Sequence, residues 1–460
     1  MRIINYPLSI INFPGFIMLY NTSLMKIYCS GIGGIGLSAY ASLQNAAGHQ
    51  VLGSDRTDSA LLEDLRSQGI TVTLRQDGSG LPGHLDLFVY SEAIPEDAPE
   101  RVKAREFFIR QISYFQALGE FSKDYTVIAV CGSHGKSSTT AMAAHVLTQA
   151  GLDPTVVVGT KVPDLGGKNW RKGKSRIFLL EACEYRGSFL HLHPSIILVT
   201  SLDWDHVDAY PTPELYRRAY KTFVGCLPQN GTLITHMQDK ACADLARESG
   251  KNILDADRQK MIMLSVPGRH MQENALLVQA LAETLGVDVR SAEQSLLSFQ
   301  GTWRRMEEIG ESNGIMYVDD YAHHPKEILA TTAAIRQKYP KKRLVCVFQP
   351  HMHDRTLHFY DDFVHAFIES DVVMLTDVYE ARKEKKGEKA DMEKLASDIR
   401  GTVEGHVQYT GSLANTELQL RNELRSGDVV LFMGAGDITN LARRMAKESS
   451  LIIPFVRKVL

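Results

Sequence analysis

The sequence predicts an α/β protein of three domains: a Rossmann-like N-terminal domain, a P-loop ATPase-like central domain and a Rossmann-like C-terminal α/β domain. Short apolar strands run into glycine turns that open helices at two separate places, residues 31–36 and 132–136. The last third repeats strand and loop in GIMYVDDYAHHP, RLVCVFQPHMHDRT, DVVMLTDVY and DVVLFMGAGDITN, the pattern of a sheet with functional loops at one edge. A length of 460 residues also exceeds one ordinary core. The expected divisions are 1–24, 25–118, 119–300 and 301–460.

Residues 1–24, MRIINYPLSIINFPGFIMLYNTSL, are apolar and poor in charge but carry Pro7 and Pro14, which weaken a spanning helix. They read as an extension upstream of a working start at Met25, with a signal or anchor as the other reading. The net charge of −3 is spread along the chain and gives no general electrostatic case for nucleic acid. Six cysteines without CxxC or histidine-paired zinc spacing suit a reducing cytoplasm and no structural metal. The charged run RKEKKGEK (382–389) reads as a solvated loop.

From Met25, KIYCSGIGGIGLSAY is a strand, a GxGxxG turn with Gly31, Gly33 and Gly36, and a helix; the next strand ends at Asp55, near the spacing of a ribose contact. The glycines let the backbone approach a diphosphate, but they leave open whether it belongs to NAD or to a nucleotide sugar. The loop after LDLFVY brings Ser91 and Glu92 to the same sheet edge as weaker candidates.

CGSHGKSST (131–139) follows the strand TVIAV and opens a second helix. Backbone N–H groups and a helix dipole converge there on an anion. Gly135, Lys136 and Ser137 supply the GK[ST] ending of a nucleotide loop, in which lysine reaches the β- and γ-phosphates and the hydroxyl binds Mg²⁺. Gly132 stands in a tighter GxxGK[ST], because Val130 occupies the usual early glycine position. Two phosphate-binding turns in one chain favour a ligase or kinase over a dehydrogenase. Nearby strands run into Glu181 and Glu184, and into Asp203, Asp205, His206 and Asp208, where a Mg²⁺ shell would be built. Glu181 and His206 are the stronger candidates; the three aspartates are equally well read as solvated strand ends.

Nine motifs in order, GIGGIGLS, CGSHGKSST, EACEYRGSFLHLHP, LDWDHVDAY, PGRHMQENAL, WRRME, VDDYAHHPKEI, VFQPHMHDRT and GAGDI, resemble the motif series of the Mur ligases from Met25 to about Asn440. The resemblance implies an ATP- and Mg²⁺-dependent amide-forming ligase of peptidoglycan precursor synthesis, cytoplasmic, a monomer or homodimer, with no nucleic-acid or membrane partner. UDP-N-acetylmuramate and L-alanine are the implied substrates. Attack of the sugar's lactyl carboxylate on the γ-phosphate gives an acyl phosphate and ADP, and the amine then displaces phosphate.

By the same resemblance ATP lies on Gly132, Ser133, His134, Gly135, Lys136, Ser137 and Ser138, with His270 and Asn274 at the adenine and Arg304 or Arg305 directed at the phosphates. Ser137, Glu181 and His206 would hold the metal. UDP falls to Gly31, Gly33, Gly34 and Gly36, with Ser54 and Asp55 near the uridine. Asp320, Tyr321, His323 and His324 are implied near ATP or the amino acid, and His351 and Arg355 near the amino acid or its carboxylate. Adjacent imidazoles rarely chelate one ion, which argues against zinc at His323 and His324. Lys136, Glu181, His206, Arg304 and His323 form the implied catalytic set.

The chain departs from the family pattern at Cys183, Tyr185 and Arg186, in EACEY where EADES is usual, and in a short stretch from Thr235 to Val266. A recycling ligase accepting a peptide, or a nucleotide-binding regulator without turnover, therefore stands beside the main reading. A hinge is expected near Phe299 to Arg304.

Overall fold

The computed structural model describes residues 24–381 and 388–448. Most of the N-terminal extension and most of the charged run expected as a loop lie outside the described residues.

The chain forms three sheets in succession. The first contains β1 (Lys26–Ser30), β2 (Gln50–Ser54), β3 (Thr71–Thr73), β4 (Leu87–Tyr90) and β5 (Gln111–Ser113), all parallel in the order β3-β2-β1-β4-β5. The order reverses between β1 and β4, and a ligand crevice opens outside the carboxyl ends of the strands at such a point. GIGGIG follows β1 directly.

The second sheet contains β6 (Thr126–Cys131), β7 (Thr155–Val162), β8 (Lys168–Arg171), β9 (Ile177–Glu181), β10 (Ile196–Val199), β11 (Thr232–Thr235) and β12 (Asn252–Asp255), in the order β12-β11-β10-β6-β9-β7-β8. Only β8 runs antiparallel to its neighbour. Because β9 and β10 flank β6, Glu181 and the LDWDH loop fall on either side of the second glycine turn. The short stretch after Thr235 forms the helix Lys240–Ser249, edge strand β12 and an irregular run into the helix Arg269–Thr284.

The third sheet contains β13 (Glu307–Ser312), β14 (Ile315–Asp320), β15 (Leu344–Phe348), β16 (Val372–Thr376), β17 (His406–Gly411) and β18 (Val429–Met433), in the order β13-β14-β18-β15-β16-β17. Its only antiparallel pair is β13 with β14.

Alternate residues of a strand face opposite sides, and β6 uses both. Ile128 and Val130 pack into an apolar cluster that continues into the C-terminal domain, whereas Val127, Ala129 and Cys131 pack into one shared with the N-terminal domain. The central sheet is thus clamped between its neighbours. The expected hinge is stitched to β7, since Trp303 N donates to Lys161 O at 2.9 Å and Thr160 Oγ1 donates to Trp303 O at 2.9 Å. Among the described residues no helix is long and apolar enough to cross a membrane.

Candidate active site

The second glycine turn is locked by its surroundings. Gly132 has φ +138°, and a Cβ there would lie 2.0 Å from Thr200 Oγ1; Gly135, at φ +78°, caps the helix Lys136–Gln149, and its Cβ would lie 2.5 Å from Asn274 Oδ1. Ser133 N and His134 N donate to Ser201 O and Ser201 Oγ at 3.1 and 3.0 Å, fixing the turn to the strand end beside it. Lys136 Nζ donates to Gly132 O at 2.6 Å and pairs with Glu184 Oε1 at 3.0 Å. Burial disfavours both charges, yet the pairing wins: Lys136 is held above its ordinary value, and Lys136 and His206 hold Glu184 below the usual carboxylate range.

His206 Nε2 lies 3.4 Å from Glu184 Oε1, and Glu181 Oε2 accepts from Gly159 N at 2.7 Å. Glu184 Oε2 is buried without a partner. Among the described residues no three His, Cys, Asp or Glu side chains form a ready metal cage. Mg²⁺ needs none, because it keeps water and takes phosphate oxygens with one or two carboxylates. Ser137, Glu181 and His206 line one cavity, a donor set that fits Mg²⁺ arriving with a nucleotide.

That cavity, of about 500 Å³, is walled by all three domains: Ile35 and Gly36 from the first, the second glycine turn, and Tyr321, His323, His351 and Arg355 from the third. His323 Nδ1 lies 3.0 Å from Tyr321 O, which can only accept, so the ring proton sits on Nδ1 and Nε2 is the acceptor. Burial pulls His323 down to about 3, so it is neutral. Arg355 Nη2 donates to Asp205 Oδ1 at 2.7 Å.

A second cavity, of about 280 Å³, lies behind the turn and brings together His134, Gly135, Ser138, His270, Asn274, Arg305 and Asp320. Asn274 Nδ2 is buried without a partner, and burial, aided by Arg305, pulls His270 down to about 4. The hydrogen-bonding edge of Asn274, the uncharged His270 ring and the apolar Met271 and Ala330 give this space a part that suits a nucleobase, with charged groups such as Arg305 at its border.

Other candidates have structural duties. Asp320 accepts from Met306 N and Ala322 N, both at 2.7 Å, pinning the linker; burial pushes it up to about 6. His324 borders neither cavity: its Nδ1 caps the helix Pro325–Lys338 through Lys326 N at 3.3 Å, and its ring packs on His134 and Phe359. Arg304 is buried, donates to Gly434 O, faces Asp319 Oδ1 at 3.6 Å and borders the first cavity, whereas Arg305 lines both.

In the first domain Asp55 Oδ2 accepts from Gly33 N at 2.8 Å. A Cβ on Gly33 would lie 2.8 Å from that oxygen, and one on Gly36 would lie 2.7 Å from the Tyr114 ring, while one on Gly34 would meet only Gly31 O at 3.5 Å. Ser54 is turned inward onto Glu100 Oε2 at 2.8 Å, which Ser30 also reaches at 2.5 Å. Gly31 is backed by Ser91, whose Cβ lies 3.0 Å from where a Gly31 Cβ would stand; Glu92 is exposed.

Three family models match along the chain: the Mur ligase family catalytic domain over residues 26–126, the Mur ligase middle domain over 130–260, and the Mur ligase glutamate ligase domain over 304–436. A UDP-N-acetylmuramate–L-alanine ligase of Clostridium novyi is 35% identical, covering 90% of this chain and 95% of that protein. This chain belongs to the Mur ligase family. The crystal structure of the UDP-N-acetylmuramate-alanine ligase of Thermotoga maritima superposes with TM-score 0.78 at 26% identity, covering 93% of this chain and 99% of that one. A murein peptide ligase of Psychrobacter arcticus shares the fold, with TM-score 0.70 at 23% identity over 94% of this chain and 100% of that one.

For a Mur ligase the departures now have places. Tyr185 donates to Asp208 Oδ2 at 2.8 Å and packs edge-on against His206, while burial pushes the Cys183 thiol up to about 12, so it stays protonated. Glu327 was absent from the sequence-based site, yet it bridges the domains: its Oε1 lies 3.2 Å from His134 Nδ1 and its Oε2 accepts from His323 N at 3.1 Å. A signal was present, since HHPKE is a capping box in which Glu327 reaches back to His324.

Proposed function

We infer that this chain is an ATP-dependent ligase that joins L-alanine to the lactyl carboxylate of UDP-N-acetylmuramate in peptidoglycan precursor synthesis, acting in the cytoplasm. The observation that carries this is the single cavity shared by three domains: the helix-side end of the first glycine turn at Ile35 and Gly36, a phosphate loop and a histidine–arginine wall open on one space, in a chain whose near full-length relatives are ligases of that name.

A carboxylate does not condense with an amine in water, so it is first phosphorylated. Gly31 N and Gly33 N are already given to Ser54 O and Asp55 Oδ2, so the N-terminus of the helix Ile35–Ala46, which reaches the cavity at Ile35 and Gly36, faces the sugar's diphosphate and holds its far end over the phosphate loop. Lys136 and the N-terminus of its helix face the triphosphate, with the nucleobase in the cavity of His270 and Asn274. Ser137, Glu181 and His206 would hold Mg²⁺, which would neutralise charge on the phosphate oxygens. Lys136 and Arg305 stabilise charge moving onto the departing phosphate. Arg355 and His351 orient the amino acid so that its amine faces the activated carbonyl, and the closed walls keep water from the acyl phosphate.

The test is phosphate release by the full chain with ATP, Mg²⁺ and UDP-N-acetylmuramate, with and without L-alanine, reading product mass. Alanine-dependent phosphate and a UDP-N-acetylmuramoyl-alanine product are expected. Preference for L-Ala-γ-D-Glu-meso-diaminopimelate over L-alanine would reassign the chain to the peptide-recycling reaction, and nucleotide binding without turnover would make it a regulator.

A further inference from the structure

We propose that Asp205 is a positioning residue of the amino-acid site, holding Arg355 across the boundary between the central and C-terminal domains so that its guanidinium is aimed at the incoming carboxylate. The inference rests on the reading of Arg355 given above and deepens it.

The pair is Arg355 Nη2 to Asp205 Oδ1 at 2.7 Å, and Asp205 and Arg355 are 4% and 8% exposed. A buried guanidinium without an anion is strongly unfavourable, so Asp205 is the central domain's counter-charge that keeps Arg355 extended at the cavity. Asp205 is itself fixed, because its Oδ1 accepts from His206 N at 2.6 Å.

The contact engages one nitrogen of the fork. Arg355 Nη1 is shared with His351 Nδ1 at 3.3 Å, and arginine's five donors allow a second carboxylate beside the first. The two residues lie 150 positions apart on different domains, and two further contacts join the same faces, His134 to Glu327 and Lys326 to Asp203. The carboxylate site is therefore complete only when these domains are together.

The test is steady-state kinetics of the full chain, varying each substrate in turn. Asp205→Asn is expected to raise KM for L-alanine about tenfold, with the change falling on KM more than on kcat and with KM for ATP and UDP-N-acetylmuramate within about twofold. An unchanged or lowered alanine KM would overturn the proposal, the lowered value meaning that Asp205 competes with substrate for Arg355. Because Asp205→Asn leaves a buried charge unpaired, the double variant Asp205→Asn/Arg355→Gln guards against simple misfolding. If Asp205 acts through Arg355, the double variant matches Arg355→Gln alone in alanine KM; additive effects would contradict the inference. Should Arg355→Gln by itself leave alanine KM unchanged, the reading of the amino-acid site fails, an outcome distinct from failure at Asp205.

Discussion

The turn at 31–36 and the turn at 132–136 follow one plan, a buried strand, glycines and a helix N-terminus, yet they are held differently. In the first, the glycines make room for neighbours of their own domain, Asp55 against Gly33 and Tyr114 against Gly36. In the second, left-handed backbone at Gly135 and the pressed approach at Gly132 leave a turn whose lysine is clasped by Glu184 and whose histidine meets the C-terminal domain. The first turn is packed mainly by its own domain and touches the central one at Ile35 O, which accepts from Asn169 Nδ2; the second carries its lysine and histidine into contacts from two domains, and chemistry that needs several partners belongs there.

The largest test of that contrast is Lys136→Ala. It should lower kcat by about 10³-fold, the scale of losing a donor aimed at developing charge, while titration calorimetry finds UDP-N-acetylmuramate binding intact. Loss of both together would mean that the turns are not separable.

Next come the glycines. Gly132→Ala should destabilise by about 3 kcal/mol or more, since a methyl would collide with Thr200. Gly36→Ala should cost about 1–2 kcal/mol, because the Tyr114 ring can shift. Denaturant midpoints give the order, and the reverse order would undo the distinction between a locked turn and a yielding one.

Asp55→Ala removes the acceptor on Gly33 N. It should change KM for UDP-N-acetylmuramate by about tenfold with ATP KM unmoved; an effect on ATP alone would assign Asp55 to the wrong ligand.

The smallest effect concerns acid. Burial would raise Glu184, but Lys136 holds it below its ordinary 4.5. Its contribution to stability is therefore present above about pH 4.5 and lost as pH falls through the folded value. Between pH 5 and 3 the wild type should lose about 1 kcal/mol more stability than Glu184→Gln, as followed by thermal melts; parallel curves would show that the pair contributes nothing.

Both turns, the three sheets and most of the cavity wall were legible in the sequence, because strand–glycine–helix order is local. What stayed hidden depends on docking. His134 meets Glu327 across 193 residues and Asp205 meets Arg355 across 150, and no periodicity encodes such pairs. Arg304 and Arg305 are neighbours in sequence, yet Arg304, at φ +56°, is buried on Gly434 O and borders the first cavity alone, while Arg305 lines both. His324 reads as a site residue from its motif but serves as a helix cap, because the proline after it starts a helix whose first N–H groups need an acceptor.

The central claim is that this chain activates a carboxylate by phosphorylation and passes it to an amine. The most direct measurement uses UDP-N-acetylmuramate carrying ¹⁸O in the lactyl carboxylate, with ATP, Mg²⁺ and L-alanine, followed by mass analysis of the released phosphate. Attack of the labelled oxygen on the γ-phosphate, then cleavage of the carbon–oxygen bond by the amine, delivers one ¹⁸O to each phosphate. Phosphate free of label, released together with the amide product, would contradict the account.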